Sequence, residues 1–114
     1  MVARLPLVFF LVVALVACGR TPPPSDLAGL ASAAPTLMRE SGAVPASQWP
    51  PEIARLKPEQ VYVAPEGLYV ATSSLFVQEW GLFVPRAAGF AAQPGTDPSY
   101  TPIGQGVFSY HVKG

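Results

Sequence analysis

Val61-Tyr62-Val63-Ala64-Pro65-Glu66-Gly67-Leu68-Tyr69-Val70 is followed four residues later by Leu75-Phe76-Val77-Gln78-Glu79-Trp80-Gly81-Leu82-Phe83-Val84. Laid one on the other, aliphatic falls on aliphatic, aromatic on aromatic, Val on Val and Gly on Gly. Each copy carries two β-prone runs about a turn that ends in Gly, the pattern of a hairpin. Gly67 and Gly81 are expected to supply the positive φ that such turns require. Side chains alternate along a strand, so two-residue turns put Val61, Val63, Leu68 and Val70 on one face. Tyr62 and Tyr69 then occupy the other. The second copy repeats this, with Leu75, Val77, Leu82 and Val84 set against Phe76 and Phe83. Thr72-Ser73-Ser74 between the copies contains neither Gly nor Pro. It is either a tight turn, which makes a four-stranded meander, or part of one long bent strand from Leu68 to Gln78.

Outward from this sheet, Ser47 to Lys57 reads as a short helix. Pro50 and Pro51 sit where a first turn tolerates proline. Trp49, Ile53 and Leu56 fall on one face at spacings of four and three, and Pro58 ends it. Residues 86–105, rich in Gly, Ala and Pro, are expected to be loop, with Gly104-Gln105-Gly106 a turn before a last strand. In that strand, Val107 to Val112, Phe108, Tyr110 and Val112 share one side while Ser109 and His111 share the other. The expected fold class is α+β, one short helix packed on a small antiparallel β-meander of four to five strands.

The first 46 residues differ in character. Apart from Phe9 and Phe10, every aromatic lies from Trp49 onward. Aromatics bring large buried areas, so the core is expected within 47–114, fewer than ~70 residues, where one core supplies about 3–5 kcal/mol. Residues 18–46 read as a Pro/Ala-rich tether with at most fleeting helical turns, Asp26 and Thr36 being N-cap candidates and Pro35 an interruption. Met1 to Ala17 holds Arg4 and an apolar run of about a dozen residues, short of the ~20 that span a bilayer and suited to a secretory leader.

Leu15-Val16-Ala17-Cys18 closes that leader with the only cysteine of the chain. The stretch resembles the lipobox of bacterial lipoproteins. The resemblance implies cleavage before Cys18, a diacylglyceryl group on its thiol and acylation (palmitate or a similar chain) of the new amine. Two or more chains hold a protein stably on a membrane where one does not. Gly19, in place of an inner-membrane-retaining Asp, implies the outer membrane, facing the periplasm. Glu66 to Val70, Phe76 to Glu79, Gly81 to Pro85 and Tyr110 to Gly114 also look like small uncharacterised bacterial lipoproteins and secreted proteins. That likeness implies a domain and no particular activity.

Composition narrows the function. Removal of 1–17 takes away Arg4 and leaves six basic against seven acidic residues. Without clustered Lys and Arg, nucleic acid is not an expected partner. One His and no thiol beyond Cys18 leave no expected metal or cofactor. His111 is the one imidazole available as a general base, but no nucleophile-elbow motif accompanies Ser73, Ser74 or Ser109. Glu66 and Glu79 resemble a glycosidase pair only in type; at hairpin turns they are expected to be solvated.

The aromatic stripe Tyr62, Tyr69, Phe76 and Phe83, with Trp80 at a turn, reads first as cross-strand packing. Its alternative is a face that meets a partner. The resulting expectation is a non-enzymatic, lipid-anchored envelope protein that binds or scaffolds a protein partner. One alternative is an inhibitor of an envelope-degrading enzyme, since some lysozyme inhibitors are lipoproteins of similar size with β-rich domains, although those commonly carry disulfides. The other is a minimal hydrolase using His111.

Overall fold

The structure, a computed structural model, describes residues 21–114. The leader, Cys18 and Gly19 lie outside the described residues. Two helices and six strands follow in the order α1 (Pro24–Leu37), β1 (Gly42–Ala43), α2 (Pro51–Ala54), β2 (Gln60–Ala64), β3 (Gly67–Leu75), β4 (Gln78–Pro85), β5 (Ser99–Gly104) and β6 (Val107–Val112). The strands form one antiparallel sheet, ordered β1-β2-β3-β4-β6-β5. β1 to β4 run as a meander. The chain then crosses to the far edge, and the β5–β6 hairpin returns β6 beside β4. The architecture is α+β, with six strands rather than four to five.

Alternation along the central strands produces two cores, one on each face. On the helical face Val61, Val63, Leu68, Val70, Leu82, Val84 and Val107 are buried with Leu27, Leu30, Ala34, Met38 and Ile53. Each of these Leu, Ile and Val side chains contributes about 1.5–3 kcal/mol of burial. Tyr69, Phe83 and Tyr110 form the other core, with Tyr62, Phe90, Tyr100 and Phe108 packed around them. The two-sided pattern read for the first hairpin holds, its turn being Pro65-Glu66.

The second copy of the repeat folds differently. Thr72-Ser73-Ser74 is not a turn. β3 continues through it to Leu75, with a bulge between Ala71 and Ser73, and the chain reverses at Phe76-Val77. Leu75 pairs with Gln78, so Leu75, Phe76 and Val77 form a hairpin tip rather than a buried strand. A bulge adds one residue to one strand and shifts the alternation beyond it, so Leu75 and Val77 do not join the valine face. Gly67 and Gly81 are strand residues, and their backbones are not in the positive-φ region. Their role is close approach. A Cβ at Gly67 would run into the Val84 carbonyl oxygen, and one at Gly81 into that of Val70.

The stretch read as a tether contains the main helix. α1 begins after Pro23, with Pro24 in its first turn and Asp26 toward its positive end. It runs through Pro35, although an interior proline removes a hydrogen bond and costs about 3 kcal/mol. Leu27, Leu30, Ala34 and Met38 offset that cost by packing onto the sheet, with Leu30 and Ala34 at 0% exposure. The folded unit therefore starts well before residue 47. Arg86 secures the far end of α1, donating from Nη1 to the Met38 carbonyl at 2.8 Å and from Nε to that of Pro65 at 3.2 Å.

The predicted helix over 47–57 is a 3-10 turn at Ala46–Gln48 followed by the four-residue α2. Ile53 is buried, while Trp49 and Leu56 pack partly against the same core. Trp49 Nε1 donates to the Val44 carbonyl at 2.9 Å. β5 lies inside the stretch expected to be loop, and Gly104-Gln105-Gly106 turns it into β6 as read. Among the described residues, no helix is long and apolar enough to cross a membrane.

Candidate functional site

The sheet separates the five aromatic candidates. Tyr62, Tyr69 and Phe83 meet on the face away from α1, through ring centroids 5.0 Å apart for Tyr62–Tyr69 and 4.7 Å for Tyr69–Phe83. Phe83 is at 0% exposure and Tyr69 at 2%, so this part of the stripe is core. Phe90, from the loop after β4, closes over it at 5.1 Å from both Phe83 and Tyr100. Phe76 stands alone at the hairpin tip, 96% exposed. Trp80 lies on the helical face, stacked on its cross-strand partner His111 with centroids 4.7 Å apart and planes 8° from parallel.

Glu66 is exposed as expected and Glu79 is half-buried, and both accept hydrogen bonds from tyrosines. Tyr62 and Tyr110 each donate to Glu79 Oε2, at 2.6 and 2.5 Å, and Gln60 Nε2 donates to Oε1 at 3.1 Å. Tyr69 donates to Glu66 Oε2 at 2.6 Å. A phenol has one proton to give, so Tyr100, 2.6 Å away, donates to the Tyr69 oxygen. Burial, and after it the hydrogen bond to a carboxylate, pushes the Tyr62, Tyr69 and Tyr110 hydroxyls well above the ordinary tyrosine range. At neutral pH they are uncharged donors. Each carboxylate is thus fixed as an acceptor at the rim of the aromatic core, and the pair is not arranged as acid and base across a cleft.

On the helical face α1 and α2 leave the β4-β6-β5 side of the sheet uncovered near the strand ends. A groove of about 590 Å³ lies there, walled by Trp80, His111, Ser99, Thr101 and Ser109, with Thr72, Leu56, Thr21 and Pro22 at its margins. Among the described residues, no Asp, Glu, Lys or Arg lines it. His111 Nε2 is 2.9 Å from Gln78 Oε1, and its ring face is against Trp80. No serine hydroxyl among the described residues hydrogen-bonds that ring. None of their His, Cys, Asp and Glu side chains group in threes as a metal site would need.

The Trp80–His111 pair and the shared Glu79 acceptor leave no signal in the sequence. The alternation in β6 does put His111 and Tyr110 on opposite sides, but only the β4–β6 register, Trp80 to His111 and Gly81 to Tyr110, brings them to these neighbours. Comparison with protein-family models, curated proteins and solved structures gives no match to the chain.

Proposed function

We propose that the chain is a lipid-anchored protein of the bacterial cell envelope, held at the outer membrane through acylated Cys18, whose domain binds an envelope protein and catalyses nothing. The groove walled by Trp80 and His111 is the binding surface. The observation that carries this reading is the composition of its walls: a stacked aromatic pair, hydroxyls from Ser99, Thr101 and Ser109, and, among the described residues, no Asp, Glu, Lys or Arg. Such a surface suits an uncharged polypeptide segment, with stacking area from Trp and hydrogen bonds from the hydroxyls. The engagement of His111 by Gln78 and Trp80 favours a wall residue over a general base.

The anchor is tested by mass spectrometry of the mature protein, which is expected to begin at an acylated Cys18; an unmodified thiol ends that half of the reading. The binding surface is tested with a photo-crosslinking amino acid at the exposed Thr101 in intact cells. One recurrent protein adduct is expected, weakened several-fold by Trp80→Ala. Adducts no different from those formed at a site outside the groove would refute it.

A further inference from the structure

The β3–β4 hairpin ends in Leu75, Phe76 and Val77, exposed by 56%, 96% and 72%. Large apolar side chains in a continuous exposed run mark an interaction site. The backbone adds to this. Phe76 takes φ 57 at the first central turn position, a conformation usually left to Gly or Asn and unusual for a bulky side chain. Strain of this kind is typically kept where a residue serves a purpose other than packing. The stem behind the tip is built of Thr72, Ser73, Ser74 and Gln78, with Glu79, opposite Ser74, its one charged side chain.

The position of the tip identifies its occupant. Thr21 and Pro22 line the same groove as Thr72, Trp80 and His111, so α1 starts at the end of the sheet from which the tip projects. Cys18 is three residues before Thr21, a reach of about 10 Å. Phe76 is four residues beyond Thr72 and Trp80, about 13 Å along the strands. Thr21, the described residue nearest Cys18 in sequence, and the apolar tip therefore lie at one end of the molecule. Gly114 is there too. Asp97 accepts the Lys113 and Gly114 amide protons at 2.7 and 3.1 Å, and Gly114 lies against Val77, which leaves Lys113 one residue from the tip. The acidic side chains Glu59, Glu79 and Asp97 at this end are each engaged by a hydroxyl, amide or backbone donor.

We propose that Leu75, Phe76 and Val77 insert into the headgroup–acyl boundary of the bilayer that holds the Cys18 lipid, with Lys113 against lipid phosphates. This rests on the anchoring reading above and adds to it a second membrane contact. Two points of attachment orient the domain, whereas a single lipid attachment would let it tumble.

The test uses the full acylated chain. Because lipid occupies the only native thiol, Phe76→Cys offers a unique site for a nitrobenzoxadiazole label, and Ala87→Cys offers one at the opposite end of the sheet. Each is reconstituted in vesicles of phosphatidylethanolamine and phosphatidylglycerol carrying nitroxide on the acyl chains. The label at 76 is expected to shift to the blue and to be quenched several-fold more than that at 87. Equal quenching at both positions overturns the proposal. A blue shift at 76 that follows protein concentration in detergent, without lipid, also overturns it and identifies a second copy as the occupant. If mass spectrometry shows Cys18 unmodified, anchoring is what fails. The full chain carrying Cys18→Ser, labelled at position 76 alone, is then incubated with the same vesicles, where quenching at 76 sustains tip insertion and its absence refutes it.

Discussion

At the scale of single residues, two glycines and two glutamates carry roles different from those their neighbours in sequence suggest. Gly81 sits where β3 and β4 press together beside the bulge, and a methyl group there meets the Val70 carbonyl oxygen and the Ala71 Cα. Gly81→Ala is accordingly expected to destabilise the domain by about 1–3 kcal/mol, the usual range for overpacking, read as a lower urea midpoint. An unchanged midpoint would mean that the two strands separate without cost. Glu79 shows the opposite lesson. Its position near a turn implies solvent, yet Tyr62, Tyr110 and Gln60 converge on it from two other strands. Local sequence identifies a residue's type and its face. The donors that reach it come from 17 to 31 residues away.

At the scale of elements, α1 was the hardest to read and is the most consequential. Its sequence is mostly small residues, with a narrow stripe of Leu27, Leu30 and Ala34 and a proline three residues from its end. Isolated helices of this length are marginal in water, and nothing in the segment alone indicates that a sheet waits to cover the stripe. A fragment of residues 47–114 is therefore expected to lose cooperative unfolding, because it leaves Val63, Val70 and Val84 without the helix that covers them. In the full chain Leu30→Ala is expected to cost about 2–5 kcal/mol. Near-UV circular dichroism and urea titration report both, and a cooperative 47–114 fragment would show that α1 is dispensable. The β3–β4 hairpin has the reverse history. Its β character was plain, but the turn moved from the Gly-bearing segment to Phe76-Val77, because a bulge at Thr72 lets one long strand pair from Gly67 to Leu75.

At the scale of the whole molecule, one sheet separates an aliphatic core under α1 from an aromatic core under the 86–98 loop. Tyrosine–carboxylate bonds at the rim of the aromatic core join β2, β4 and β6 through Glu79, and β3 and β5 through Tyr69 and Tyr100. Their hydroxyl pKa values are raised in the folded state, first by burial and then by the carboxylate bonds. The unfolded chain ionises its tyrosines near about pH 10. Stability from these groups is therefore complete below that pH and is lost as pH rises beyond it. The slope is up to ~1.4 kcal/mol per pH unit for each tyrosine. Tyr110→Phe is expected to cost about 1.5–3 kcal/mol at neutral pH and to flatten the alkaline slope. Urea midpoints from neutral to strongly alkaline pH measure both, and an identical slope in the variant would remove Tyr110 from the network.

The sequence by itself determined the period-two faces of β2, β6 and the central parts of β3 and β4, because alternation is a property of each strand alone. It also determined the Pro65-Glu66 and Gln105 turns, where residue type constrains the backbone locally. Tertiary structure decided where β3 ends, that β5 forms, that α1 crosses Pro35, and that His111 meets Trp80. Each of those outcomes depends on surface supplied by residues far along the chain. Burial against that surface outweighs the local preferences of a proline and of an Ala-rich segment.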